Sequence, residues 1–187
     1  MHTPLRLLKA VAFAAEKHKD QRRKDANASP YINHVIAVAS VLAEEGNVTD
    51  EDLLVAAILH DTVEDTETSY SELDEHFGAR VAGIVREVTD DKTLGREARK
   101  RLQEEHAPRA SAQAKQIKIA DKICNIRDIM HNPPANWPIE RKREYLLWTT
   151  RVVAGCRKVN DLLDQAFDET VSAAARHLSM IVEHPQK

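Results

Sequence analysis

Residues 51–63 read E-D-L-L-V-A-A-I-L-H-D-T-V, and this stretch decides the fold. Its centre is apolar nearly all round, which is typical of a helix buried in the middle of a protein. Thr49 is the predicted N-cap, and the acidic residues that follow suit the positive end of the helix dipole. We therefore expect a central helix that runs to about Val63 and carries two ionisable residues, His60 and Asp61, near its end.

The rest of the chain predicts further helices around this one, since no stretch alternates with the period of a strand. In the first helix, Leu5, Leu8, Ala12 and Ala15 recur at helical spacing and mark the apolar face. The fold class we predict is all-α, with roughly eight to ten helices in a single domain over 1–187. The other predicted helices cover about 4–19, 33–45, 69–77, 79–88, 96–106, 111–130, 138–165 and 168–182.

Composition excludes several classes of protein. With 42% hydrophobic and 30% charged residues, the chain is globular rather than disordered. The longest apolar run, Leu53–Leu59, is far shorter than the roughly 20 residues of a membrane helix, and no signal peptide is evident. Two separated cysteines, Cys124 and Cys156, favour a reducing, cytoplasmic location. The net charge of −3 argues against a nucleic-acid partner and leaves the oligomeric state open, a homo-oligomer included.

Four side chains predict a metal site. His60 and Asp61 end an apolar helix, where burial is costly unless the groups are paired or bind a metal. His34 opens the predicted second helix, and Asp121 lies within the helix at about 111–130. Two imidazoles and two carboxylates suit a divalent ion such as manganese or iron, and the lack of thiolates argues against structural zinc. The alternative is a hydrogen-bonded structural histidine followed by an aspartate that caps the next turn.

Two more carboxylates follow in the same stretch. Glu64 lies four residues after His60, and Asp65 lies four residues after Asp61, so a continuing helix would place both acids beside the metal ligands. Such a pair could orient or deprotonate a water molecule and later protonate a leaving group. The alternative is a solvated acidic helix end.

Four strings carry a resemblance to a known family. They are R-K-D followed by P-Y-I-N-H in 23–34, H-D-T-V-E-D-T in 60–66, E-V-T-D-D-K-T-L in 87–94 and K-I-A-D-K-I-C-N-I-R in 118–127. In order and spacing the chain resembles the small, stand-alone HD-domain hydrolases of the RelA/SpoT family. The resemblance implies an all-α HD domain and manganese-dependent hydrolysis of the alarmones ppGpp and pppGpp. The products would be GDP or GTP and pyrophosphate, which ends the stringent-response signal.

The resemblance also implies roles for individual residues. The metal ligands would be His34, His60, Asp61 and Asp121, for manganese, with zinc or iron also open. Glu64 and Asp65 match the catalytic acid pair, while Arg23, Lys24, Asn125 and Tyr145 match positions that contact the nucleotide substrate. The core motifs would span about 20–130, with C-terminal helices at about 138–182.

Some residues depart from the family pattern, and two other functions also fit the predicted site. Val35 stands where many relatives have proline, and Asp128 replaces a threonine or serine, which puts a ribose or phosphate contact in doubt. Outside the motifs, Trp137 and Trp148 are predicted to be packing or interface residues rather than platforms for a base. The basic cluster of Arg96, Arg99, Lys100 and Arg101 is predicted to be mainly exposed helix surface, from which one residue could approach the substrate. Two alternatives to alarmone hydrolysis are a phosphatase acting on another ribose phosphate, such as the NADPH 2′-phosphate, and a catalytically silent nucleotide-binding module.

Overall fold

The structure, a computed structural model, describes residues 3–180 and contains ten α-helices and no strand within that range. The predicted all-α class is therefore confirmed. A π-helical turn, Val41–Glu45, extends α2, and a 3-10 turn, Ala107–Arg109, extends α7. The helices are α1 Thr3–Lys17, α2 Ile32–Ser40, α3 Glu51–Leu59, α4 Thr62–Asp65, α5 Tyr70–Phe77, α6 Ala79–Val88, α7 Arg96–His106, α8 Ala112–His131, α9 Ile139–Ala154 and α10 Asp161–His177.

Helix α3 is central, as its apolar sequence predicts. Leu53 and every residue from Val55 to Leu59 are buried, and the helix packs against α1, α2, α6 and α8. The N-cap is Asp50 rather than the predicted Thr49. The Asp50 carboxylate accepts hydrogen bonds from the N–H groups of Asp52 and Leu53 at 3.1 and 3.4 Å, the usual N-cap pattern.

The central helix ends earlier than predicted. It stops at Leu59, and a separate short helix, α4, begins at Thr62. The Thr62 hydroxyl donates to the Leu59 carbonyl at 2.6 Å, a local side-chain bond that competes with a regular helical ladder. His60 and Asp61 therefore lie at a break in the helix, where their side chains can point toward one place.

Helix α1 forms as predicted, but its buried face is different. Leu5 and Leu8 are 56% and 66% exposed, whereas Ala10 and Ala14 are completely buried. Helix α1 packs against α3, and small alanine side chains allow two helices to approach closely. The spacing of the leucines identified a helix correctly without identifying the side that faces the core.

The predicted helix 138–165 is two helices in the structure. Helix α9 ends before Gly155, where an added Cβ would lie 2.9 Å from the Ala107 Cβ. Asn160 then caps α10, accepting hydrogen bonds from the N–H groups of Leu162 and Leu163. The predicted helix 168–182 is correspondingly wrong at its start, and its last two residues lie outside the described part. The break turns α10 back so that it packs along α8.

One cluster of buried apolar side chains connects these helices. No helix within 3–180 has the length and apolar character that crossing a membrane requires. The prediction of a single domain over 1–187 extends past the described residues at both ends and stays a prediction.

Asn160 should contribute measurably to stability because it joins three parts of the chain. Besides capping α10, its amide donates to the Gly46 carbonyl at 2.8 Å and to Gln116 Oε1 at 3.0 Å. We expect Asn160→Ala to lower the free energy of unfolding by roughly 2 kcal/mol in urea denaturation. Asn160→Ser, which retains a capping oxygen, should lose less. A loss below about 0.5 kcal/mol for the alanine variant would contradict this role.

Candidate active site

Three helical segments bring a cluster of potential metal ligands together. His34 comes from α2, His60 from the break after α3, and Asp121 from the middle of α8. Their ligand atoms all lie within 4.8 Å of one another, and both histidines are 5% exposed. The Nε2 atom of His34 is 3.2 Å from Asp121 Oδ1. These three residues, far apart in the sequence, therefore converge as predicted.

The fourth predicted ligand, Asp61, borders the same cluster. Its Oδ2 atom lies 3.0 Å from His60 Nε2 and 3.8 Å from His34 Nε2. The same oxygen accepts a hydrogen bond from the Tyr31 hydroxyl at 2.6 Å. Tyr31 thus orients Asp61, a role that the sequence analysis missed even though this tyrosine belongs to the P-Y-I-N-H string.

The cluster fits a divalent metal ion. The Nδ1 atom of His60 lies 2.7 Å from the Ala57 carbonyl, which can only accept, so Nδ1 carries the hydrogen of the neutral ring. In the neutral ring the buried Nε2 atom carries a lone pair, which a metal ion would take in place of the proton that this ring holds in the protein alone. Metal-binding histidines are usually oriented in this way by a backbone carbonyl. Together with the nearby carboxylates, this is a mixed nitrogen and oxygen donor set.

Opposite charges hold the cluster together in the protein alone. Burial by itself would lower the pKa of His60, but the carboxylates of Asp61 and Asp121 outweigh it and raise this pKa to about 9. Burial would raise the pKa of Asp121, but Lys122 and His34 hold it well below its usual range. A divalent cation would take over the role of these positive charges next to the two carboxylates.

Glu64 faces a cavity of about 160 Å³ that the metal cluster also lines. Its Oε2 atom accepts the backbone N–H of Asp90 at 3.0 Å, and Arg99 Nη1 lies 3.6 Å from Oε1. Burial raises the pKa of Glu64 to about 7; the Asp90 N–H opposes this shift, and the carboxylates of Asp61 and Asp90 reinforce it. An acid with such a pKa can exchange protons near neutral pH.

Asp65 does not face the same cavity as Glu64. It lines a larger, adjoining cavity of about 340 Å³. Its carboxylate accepts the Gln21 amide at 2.6 Å and forms an ion pair with Lys92. Glu64 and Asp65 are neighbours on α4, so their side chains point about 100° apart and enter different cavities, whereas the prediction had placed both acids beside the metal ligands.

The larger cavity collects all four residues predicted to contact the substrate. Arg23, Lys24, Asn125 and Tyr145 line it. Lys24 is exposed, and its carbonyl accepts the Ala135 N–H at 3.0 Å, which ties two loops together at the rim. Cationic side chains beside an aromatic ring suit a phosphorylated ligand that also carries a flat base.

A chain of hydrogen bonds connects the two cavities. Arg23 Nη2 donates to Asn125 Oδ1 at 3.0 Å, and Asn125 Nδ2 donates to Asp121 Oδ1 at 2.6 Å. Arg23 also donates to Asp128 at 2.5 Å. Asp128, the departure from the family pattern, therefore engages the predicted nucleotide-binding arginine.

The two tryptophans differ in their surroundings. Trp148 is 5% exposed, and its indole N–H donates to the Lys100 carbonyl, in keeping with a packing role. Trp137 instead lines the larger cavity, with its ring centroid 5.5 Å from that of Tyr145 and the Arg141 guanidinium 4.3 Å from its own centroid. The prediction of a packing or interface residue thus leaves out the place of Trp137 in the wall of this cavity.

Several residues at the site escaped the sequence analysis. Asp90 and Lys118 lie inside quoted strings, so the strings located them without revealing their contacts. Gln103 lies on α7, which was predicted to be mainly exposed, yet it donates to Asp90 Oδ2 at 2.6 Å. Arg99, one turn earlier, belongs to the basic cluster from which one residue was expected to approach the substrate, and it lies near Glu64. The spacing of four residues between Arg99 and Gln103 places both on one face of α7, and this spacing was the sequence feature that could have identified them together.

Comparison with known proteins agrees with this geometry. An HD domain family model matches residues 10–147. The chain is 52% identical over 162 residues to the guanosine-3′,5′-bis(diphosphate) 3′-pyrophosphohydrolase MESH1 of Xenopus tropicalis, covering 87% of this chain and 90% of the relative. It is 51% identical over 160 residues to the Homo sapiens MESH1, covering 86% and 89%.

A solved structure is also similar. It is described as a metazoan ortholog of SpoT that hydrolyzes ppGpp, and it superimposes with a TM-score of 0.87 at 44% identity, covering 94% of this chain and 97% of that one. By the family match and the identity to these relatives, the chain belongs to the HD-domain family and, within it, to the group of MESH1-type pyrophosphohydrolases.

Proposed function

We propose that the protein hydrolyses guanosine 3′,5′-bis(diphosphate), ppGpp, or its 5′-triphosphate form, pppGpp, to pyrophosphate and GDP or GTP. The observation that carries the proposal is the direct connection between a buried cluster of metal ligands and a cationic, aromatic cavity through Arg23 and Asn125. The MESH1 relatives, which are named for this activity, are about half identical to the chain. The two free, buried cysteines accord with the proposed cytoplasmic location.

His34, His60, Asp61 and Asp121 would hold one divalent ion, which we propose to be manganese. Imidazole and carboxylate donors suit manganese, and zinc or iron would also accept this set. When bound, such an ion supplies charge stabilisation at a phosphate oxygen and lowers the pKa of water.

The nucleotide would occupy the larger cavity, and its 3′-diphosphate would enter the smaller one. Arg23 and Lys24 provide positive charge for phosphate, and the faces of Tyr145 and Trp137 provide stacking surface for a purine. Asn125 touches both Arg23 and Asp121, so it lies between the parts of the site that would hold the sugar and the reacting phosphorus.

Glu64 would position water and accept its proton. The oxygen of water attacks the phosphorus attached to O3′, the bond between phosphorus and O3′ breaks, and O3′ receives a proton. The transferred group leaves as pyrophosphate. Asp65, on the side of the nucleotide cavity, would assist the movement of the proton toward O3′.

The wild-type protein should convert ppGpp to GDP and pyrophosphate in the presence of Mn²⁺. Chelation should abolish turnover, and Mn²⁺ should restore it. NADPH and simple phosphate monoesters, assayed in parallel by phosphate release, should be poorer substrates. A protein that turned over NADPH faster than ppGpp, or neither with any of Mn²⁺, Zn²⁺ and Fe²⁺, would refute the proposed function.

Removing either acid should remove most of the turnover while sparing metal binding. We expect Glu64→Gln and Asp65→Asn to lower kcat for ppGpp by roughly 100-fold or more. Glu67→Gln, a change of the same type at an exposed site, is the matched control and should behave as wild type. Stabilisation by Mn²⁺ in a thermal melt should persist in all three variants. Wild-type turnover in both acid variants would disprove their roles.

The raised pKa of Glu64 predicts a pH dependence. Because the base must be ionised, kcat/KM should fall on the acidic side of the Glu64 pKa, which a bound divalent ion would lower from the value of about 7 in the metal-free protein. In a carbon-13 NMR titration of the metal-free protein, Glu64 should titrate near pH 7. Asp90→Asn removes a neighbouring negative charge and should lower this pKa, whereas Asp91→Asn should leave it unchanged. A Glu64 that titrates near 4.5 in the wild-type protein would contradict this environment.

A further inference from the structure

Helix α8 presents a polar stripe to the interior. Lys118, Asp121, Lys122 and Asn125 all line the 160 Å³ cavity, at positions three or four residues apart. Most side chains of this stripe have a hydrogen-bond or ion-pair partner within the protein. Lys122 Nζ pairs with Asp121 at 3.0 Å, and Asn125 bridges Asp121 and Arg23. Lys118 is the exception.

The Lys118 ammonium has no anionic partner. The residue is only 8% exposed, yet no hydrogen bond or ion pair within residues 3–180 engages its Nζ. Asp90, a carboxylate whose charge influences Lys118, already accepts the Gln103 amide at 2.6 Å. Burial and the charge of Lys122 lower the pKa of Lys118. A largely buried lysine that lines the cavity without an ion-pair partner among the described residues is well placed to bind a ligand that supplies the opposite charge.

The location of Lys118 specifies that ligand. It lies one turn before Asp121 on the same helix, about 5 Å along the axis. The cavity is roughly ten times larger than the ~15 Å³ that one water molecule needs, so it has room for more than the phosphate nearest the metal cluster. A second phosphate, linked to the one that Asp121 and the histidines face, would extend along α8 toward Lys118.

We propose that Lys118 binds the terminal phosphate of the 3′-diphosphate and thereby favours a diphosphate over a monophosphate as the 3′ substituent of the guanosine substrate. This inference rests on the proposed function and names the part of the substrate that it recognises. Because the terminal phosphate is carried over into the pyrophosphate product, Lys118 contacts it before and after the bond to O3′ breaks. An ammonium on a flexible stem acts here as a point charge for phosphate.

The test compares two substrates that differ by one phosphate. We expect Lys118→Met to lower kcat/KM for ppGpp by roughly 10- to 100-fold, the loss expected for one charged hydrogen bond. For guanosine 5′-diphosphate 3′-monophosphate, the same variant should change kcat/KM by less than about threefold. Lys115→Met is the matched control, because Lys115 lies one turn away on α8 and donates to the exposed Pro108 carbonyl. It should behave as wild type with both substrates.

Stability separates substrate binding from a structural role. Replacing a largely buried lysine that has no ion-pair partner in the described part of the chain with methionine should leave Tm unchanged or raise it by roughly 2–4 °C, whereas loss of a structural contact would lower it. Equal losses on the two substrates, unchanged activity on ppGpp, or a lower Tm with impaired activity would each overturn the proposal.

A binding measurement makes the test independent of turnover. With Mn²⁺ present, pyrophosphate should raise the Tm of the wild-type protein more than inorganic phosphate does, and Lys118→Met should abolish that difference. If the wild-type protein failed to hydrolyse ppGpp, the proposed function would fail, while a pyrophosphate preference lost in this variant would still support Lys118 as a diphosphate-binding residue. The absence of any pyrophosphate preference in the wild-type protein would refute the proposed role of Lys118.

Discussion

The buried carboxylate of Asp121 is the constraint on which the rest of the site depends. A carboxylate inside a protein is tolerated only when positive charge and hydrogen bonds surround it. Here His34 approaches from α2, Lys122 from the next position of α8, and Asn125 from one turn further along. Each of these partners also lines the 160 Å³ cavity. The groups that stabilise the buried Asp121 carboxylate therefore also form the wall of the site.

The second structural requirement is the break after α3. A continuous helix would point His60 and Asp61 about 100° apart. The chain instead leaves the helical ladder at Leu59, and the Thr62 hydroxyl occupies the carbonyl there. Both side chains can then face His34. The next helix, α4, carries Glu64 and Asp65, whose neighbouring positions point them into different cavities. One local departure from regular helical geometry thus allows His60 and Asp61 to join the same donor cluster.

The sequence was sufficient for the fold class and for the three candidate metal ligands that lie together in the structure. Buried polar residues on apolar helices, together with the four strings, identified His34, His60 and Asp121 before any coordinates. The sequence did not predict where each helix ends or which side of a helix faces the core. The leucines of α1 mark a helical period that does not face the core, since close packing against α3 selects Ala10 and Ala14 instead. Contacts between distant segments, such as Tyr31 with Asp61 or Gln103 with Asp90, arise from tertiary packing, which local patterns do not encode.

Arg23 has a wider consequence. Its guanidinium lies over the Tyr31 ring, and it donates to Asn125, so it is linked to the hydroxyl that holds Asp61 and to the amide that holds Asp121. Arg23 is therefore linked to two carboxylates of the donor cluster through one intermediary each. These contacts connect the mouth of the larger cavity to a donor cluster that is already assembled in the protein alone.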